Sequence, residues 1–128
     1  MSKPLLLDLK EKINLLIPET LWIGDTNDVS KITLSKSITN FLRIRIYFRD
    51  SNYQYSSSEA YNNGKTIERY MTLQTLFFRN SDQFLRYKGI RINDKTVEDV
   101  GHFRFSFLNV SRDYKDEIFI NRIVGYKE

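Results

Sequence analysis

The sequence predicts an all-β domain: an antiparallel, jelly-roll-like β-sandwich of about seven strands, led by a short N-terminal α-helix. Three observations predict it. Apolar and polar residues alternate along several short stretches, the period of a half-buried strand. Turn-forming residues separate those stretches roughly every 8–14 positions, as in sandwiches rather than βα repeats. Aromatic residues make up 14% of the chain, a composition that suits pleated surfaces.

Leu6, Leu9, Ile13 and Leu16 fall on one helical stripe, with Asp8, Lys10, Glu11, Lys12 and Asn14 on the other face. Pro4 and Pro18 punctuate its ends. The helix therefore belongs to residues 1–18 and the sandwich to 19–128. Leu21-Trp22-Ile23 begins the β region and stops at Gly24. Asp25 to Asp28 has turn composition, and Ile32-Thr33-Leu34 reads as a short strand. Residues 41–49 alternate most cleanly: Leu42, Ile44, Ile46 and Phe48 form an apolar face, and Arg43, Arg45, Tyr47 and Arg49 a wet one. Residues 50–65 hold no Leu, Ile, Val or Phe, so they read as a surface loop with a tight turn at Asn63-Gly64. Strands follow at 66–78 and, broken by Gly89, from Phe84 to Ile92. A turn at Asn93-Asp94-Lys95 leads to the alternating Phe103, Phe105 and Phe107. The last strand runs from Ile118 to Tyr126.

The length, 128 residues, suits a single core. With no cysteine there is neither a disulfide nor a thiolate metal site. No stretch approaches the ~20 apolar residues of a membrane span. Asp8 interrupts Leu5-Leu6-Leu7 too early for a signal peptide. The expectation is a protein made in a reducing cytoplasm. Its charge of +4 is concentrated in residues 41–91, where nine Lys/Arg face four acids.

Catalytic chemistry finds little support. The single histidine, His102, falls on the polar side of the Phe103–Phe107 strand and reads as exposed or at a sheet edge. No Gly-x-Ser-x-Gly elbow accompanies it. Asp25-x-Asn27-Asp28 starts like a calcium loop, but Ser30 and Lys36 stand where Gly and Glu belong. Asp113, Asp116 and Glu117, beside Lys115, read as a solvated turn. The five glycines are isolated, so no phosphate-binding loop exists. The expectation is a non-enzymatic protein with no catalytic residue, metal ligand or cofactor.

Binding chemistry is better represented. Tyr53, Tyr55 and Tyr61 lie among Ser and Asn, the composition of recognition loops, in which Tyr supplies rigid contact area. Arg43, Arg45 and Arg49 with Tyr47 form a row suited to phosphate, ring stacking or ion pairs. These seven residues are the candidate ligand or partner site.

Leu21-Trp22-x-Gly24, Ile32-Thr33-Leu34-Ser35, Ile38-Thr39-Asn40-Phe41 and Ile44-x-Ile46-Tyr47, with the closing Ile120 to Lys127, resemble small structural and tail-fibre or baseplate-associated β-domains of tailed phages of Gram-positive bacteria. The resemblance covers most of the chain except 50–65 and 79–101. It implies a β-sandwich, a virion protein of the tail or receptor-binding apparatus assembled in the host cytoplasm, and a trimer as the oligomeric form. The implied partners are other phage structural proteins or a host cell-wall saccharide, and it brings no catalytic residues. The alternative is a phage accessory protein that binds nucleic acid or a host factor through the basic sheet face.

Overall fold

The structure, a computed structural model, describes residues 8–13, 17–62 and 65–128. The described residues form eight strands: β1 (Glu19–Thr26), β2 (Arg43–Asp50), β3 (Tyr55–Tyr61), β4 (Glu68–Arg79), β5 (Asp82–Asn93), β6 (Thr96–Ser106), β7 (Ser111–Asp113) and β8 (Ile118–Tyr126). They make two four-stranded antiparallel sheets, ordered β1-β8-β2-β3 and β4-β5-β6-β7. The expected all-β sandwich is what forms. Its second sheet is a plain meander of hairpins, without the two interlocked Greek keys of a jelly roll.

Alternation dictates the packing. Ile44, Ile46 and Phe48 of β2 point inward with Ile118, Ile120 and Ile123 of β8. Met71, Leu73, Ile90 and Ile92 answer from the second sheet. Each such side chain contributes about 1.5–3 kcal/mol on burial. Between β1 and β2 the chain closes one end of the sandwich. Leu34 N–H donates to Lys95 O of the β5–β6 turn, and Ser35 N–H donates to Leu21 O of β1. This stitches the two sheets together and buries Ile32 and Leu34. Ile32 to Leu34 forms only one bridge, Thr33 to Thr96, rather than the expected strand.

Several expectations change. Residues 50–65 are not one loop, because 55–61 form the edge strand β3 along β2. An edge strand needs little apolar surface: small Ser56, Ser58 and Ala60 alternate with Tyr55, Ser57, Glu59 and Tyr61. β1 continues past Gly24, which is glycine because the Trp22 indole lies where a Cβ would stand, at 2.6 Å. β5 is unbroken at Gly89, and the irregularity falls opposite it as a bulge in β6. Residues 8–13 are helical and exposed, Leu9 and Ile13 included. Leu6, Leu16 and the Asn63-Gly64 turn lie outside the described residues.

The largest correction concerns the face of β6. Phe103, Phe105 and Phe107 do not line the core. Arg104 pairs with Arg86 and His102 with Lys88; Arg86 and Lys88 are buried, and Arg104 and His102 lie half-buried on the same side of the sheet. Phe103 and Phe105 stand on the outer surface opposite Tyr87 and Leu85. Alternation specifies two faces but not which one is inside, and here the first sheet presents buried Asp50 as a partner for cations.

Candidate functional site

The first sheet brings the seven predicted residues together. Register pairs Arg43 with Tyr61, Arg45 with Glu59, Tyr47 with Ser57 and Arg49 with Tyr55, all on the outer face. Their guanidinium groups are held. Arg43 and Arg45 both donate to the Glu59 carboxylate, Arg45 Nε at 2.8 Å and Arg43 Nη1 at 3.0 Å. Arg49 forks onto Asp25 at 3.0 and 2.9 Å. Arg43 lies 4.1 Å over the Tyr126 ring, and Arg49 stands between Phe119 at 4.1 Å and Tyr53 at 4.4 Å. Cations over aromatic faces are attracted by the ring quadrupole, so rings and charges fix one another.

Titration follows these contacts. Burial pushes Glu59 up, but hydrogen bonds from Arg45 and Arg43 outweigh it and leave the carboxyl below its usual range. The Arg49 hydrogen bond holds Asp25 low against its own desolvation. Burial, and then Tyr47, push the Tyr126 hydroxyl up.

The β2–β3 turn sets Tyr53. Its φ of 61° is the left-handed region, uncommon for a bulky side chain. Asp50, fully buried, holds the turn: Oδ1 accepts from Asn52 and Gln54 N–H at 2.9 and 3.0 Å, and its carbonyl accepts from Tyr53 N–H at 3.1 Å. Backbone strain of this kind persists where the surroundings over-determine it. Tyr53, Tyr55 and Tyr61 remain exposed.

A second constellation, missed in the sequence, fills one end of the sandwich. Arg86 reaches Asp50, Asn52 and Glu117. Arg104 binds Asp113 and Glu117. Lys88, fully buried, donates to Asn27 O at 2.7 Å and to both Asp116 oxygens at 2.8 and 2.7 Å. Asp113, Asp116 and Glu117 are therefore not a solvated turn; they neutralise cations that face the interior. A signal was present. Arg86 and Lys88 share parity with Ile90 and Ile92, so an inward Ile row implies inward cations.

His102 stands partly exposed on the edge of β6, as expected, and its Nδ1 lies 2.6 Å from Asp99 Oδ2. Asp99, His102 and Asp116 place ligand atoms within 4.8 Å of one another, the minimum arrangement for a three-ligand site. Lys88 Nζ already takes the position of the cation, bound to Asp116 and 3.7 Å from Asp99. The arrangement is an ion-paired seam and does not fit a metal.

Outside that seam the second sheet exposes an apolar cluster at one end. Leu76, Phe78, Phe107 and Leu108 are exposed around the β4–β5 hairpin, and Phe107 N–H donates to Gln83 O beside Phe78. Compared with family models, curated proteins and solved structures, the chain matches none.

Proposed function

We propose that this domain is a non-enzymatic recognition module of a phage tail or baseplate, and that the outer face of its first sheet receives a host-surface saccharide. The observation that carries the ligand class is the neutralised arginine row. Three guanidinium groups, Arg43, Arg45 and Arg49, meet two carboxylates, Glu59 and Asp25, on a surface rimmed by Tyr53, Tyr55 and Tyr61. A neutral sugar needs ring faces for its C–H surface and fixed donors and acceptors for its hydroxyls. Ion-paired Arg and Glu supply the second, exposed tyrosines the first. A polyanion needs unpaired cations, so the ion pairs favour the saccharide over nucleic acid.

The phage context rests on the resemblance. Its motif residues have packing reasons here, Trp22 over Gly24 and Phe41 against Gly125.

The test is adsorption of the purified chain to host cell walls. Tyr55→Ala and Tyr61→Ala are expected to abolish it without lowering the melting temperature, and wild-type binding is expected to survive moderate salt. Undiminished binding by both variants defeats the saccharide reading. Absence of the chain from purified virions defeats the tail reading.

A protein partner is the second reading. The exposed Leu76, Phe78, Phe107 and Leu108 favour it. A monomeric mass in solution, with no partner in virions, removes it.

A further inference from the structure

The geometry points to a second ligand site, at the free edge of β6, for a ring compound that carries a phosphate. β7 pairs only with Arg104 to Ser106, so among the described residues the edge of β6 at 99–103 has no neighbouring strand. A cleft of about 690 Å³ opens there, lined by Tyr87, Asp99, His102, Phe103, Arg112 and Tyr114 over the backbone of Gly101; the Asp99 carboxylate is engaged by Gly101 N–H and His102.

The cleft is built by the bulge. Gly89 and Gly101 face one another across β5 and β6, and Gly101 has a φ of 144°, a conformation that side chains rarely adopt. No atom lies within 4 Å of where its Cβ would be, so the space beside it stays open. Asp99 fixes the bulge through the Gly101 N–H at 2.8 Å and holds His102 by Nδ1. The edge is thus bent and capped, a device that works against strand addition.

Three groups then define the ligand. Tyr87 and Phe103 stack with centroids 4.8 Å apart and 18° between planes, a rigid aromatic wall. Arg112 lies 5.2 Å from the Phe103 ring and 5.7 Å from Tyr114. Among the described residues Arg112, like Arg69, Arg79 and Arg122, has no carboxylate partner, in contrast to Arg43, Arg45, Arg49, Arg86, Arg91 and Arg104, and of the four without one it is the one that lies over aromatic rings. With Nδ1 bound to Asp99, the free imidazole nitrogen of His102 is Nε2. An unpaired planar fork beside aromatic rings suits a phosphate whose attached ring packs on the wall. A nucleotide and a sugar phosphate share this chemistry.

The experiment is amide-resolved NMR titration of the full chain with uridine monophosphate, glucose 1-phosphate, uridine and inorganic phosphate. At least one ring phosphate is expected to give saturable shifts in 99–103 and 111–114. It should bind about tenfold more tightly than inorganic phosphate or uridine, a difference of about 1.4 kcal/mol. The tighter of the two ring phosphates identifies the source. Arg112→Ala should weaken it about tenfold or more, and Arg112→Lys less, since lysine keeps the charge without the fork. Arg112 is exposed, so both variants should keep the wild-type fold, checked by spectral dispersion. The inference is overturned by no saturable shift in this cleft, by uridine or inorganic phosphate binding as tightly, or by unchanged affinity in Arg112→Ala. Tyr55→Ala leaves this cleft intact, so failure here and failure of the saccharide reading are separate results.

Discussion

The ring of Phe41 fills the space that a side chain at position 125 would need: a Cβ on Gly125 would lie 2.5 Å from Phe41 Cγ. Phe41 is fully buried and leads into β2, and Gly125 stands near the end of β8. One contact therefore joins the middle of the chain to its last strand. Gly125→Ala is expected to lower stability by about 1–3 kcal/mol through overpacking. Thermal unfolding should show it, and Phe41→Leu in the same chain should recover part of the loss. An unchanged melting temperature for Gly125→Ala would mean that the ring is free to move aside.

Arg86 is the hub of the interior ion cluster, 5% exposed and bound to Asp50, Asn52 and Glu117. Arg86→Met leaves the buried Asp50 carboxylate without a cation and Glu117 with Arg104 alone, and removing one side of a buried pair costs about 3–5 kcal/mol. Urea denaturation should read a loss near that size. It should also release the Tyr53 turn, because Asp50 and Asn52 both belong to it. A loss under about 1 kcal/mol would show that water enters this end of the sandwich and solvates the acids.

Stability should fall in acid. Desolvation raises Glu59 and Asp113, but arginine hydrogen bonds bring both below the usual carboxylate range. Hydrogen bonds from Arg49 and Ser106 do the same for Asp25 and Asp82. A carboxylate with a depressed folded-state pKa stabilises fully above its unfolded value. That stabilisation is lost as pH falls through the folded one. The unfolded values lie near 4, so the urea midpoint is expected to decline steadily below about pH 4. A midpoint that stays level down to pH 2.5 would contradict these pairings.

What the sequence made legible follows from how each residue declares its face. Ile44, Ile46 and Phe48 alternate with Arg43, Arg45 and Tyr47, and the apolar set could only be the buried one. β3 gave no such signal, since Ser56, Ser58 and Ala60 carry too little surface to mark an inner face. β6 gave a misleading one. Three phenylalanines outweigh His102, Arg104 and Ser106 on any hydropathy scale, yet acids of β7 and of the connection from β7 to β8 reverse the choice. Such pairings join residues far apart in sequence, Asp50 with Arg86 and Lys88 with Asp116, and no local period encodes them. The seven candidate residues were legible as types, but that they share one face required β3 to be a strand in register with β2.

Glu59 is the residue that decides what the first sheet can bind. It accepts from Arg43 and Arg45 together, so its loss frees two guanidinium groups that already lie side by side. Glu59→Gln keeps the side-chain volume and removes the charge. The outer face should then behave as a cation, and retention on a heparin column should move to higher salt, since each new phosphate- or sulfate-type contact steepens the salt dependence. Arg43→Gln with Arg45→Gln in the same chain should reverse the shift. Saccharide adsorption should fall in Glu59→Gln, because the carboxylate acceptor is gone and the two forks are no longer held in position. Elution of Glu59→Gln together with wild type would mean that the arginines are not masked by this carboxylate. The balance between neutral and anionic ligands on this face would then have another origin.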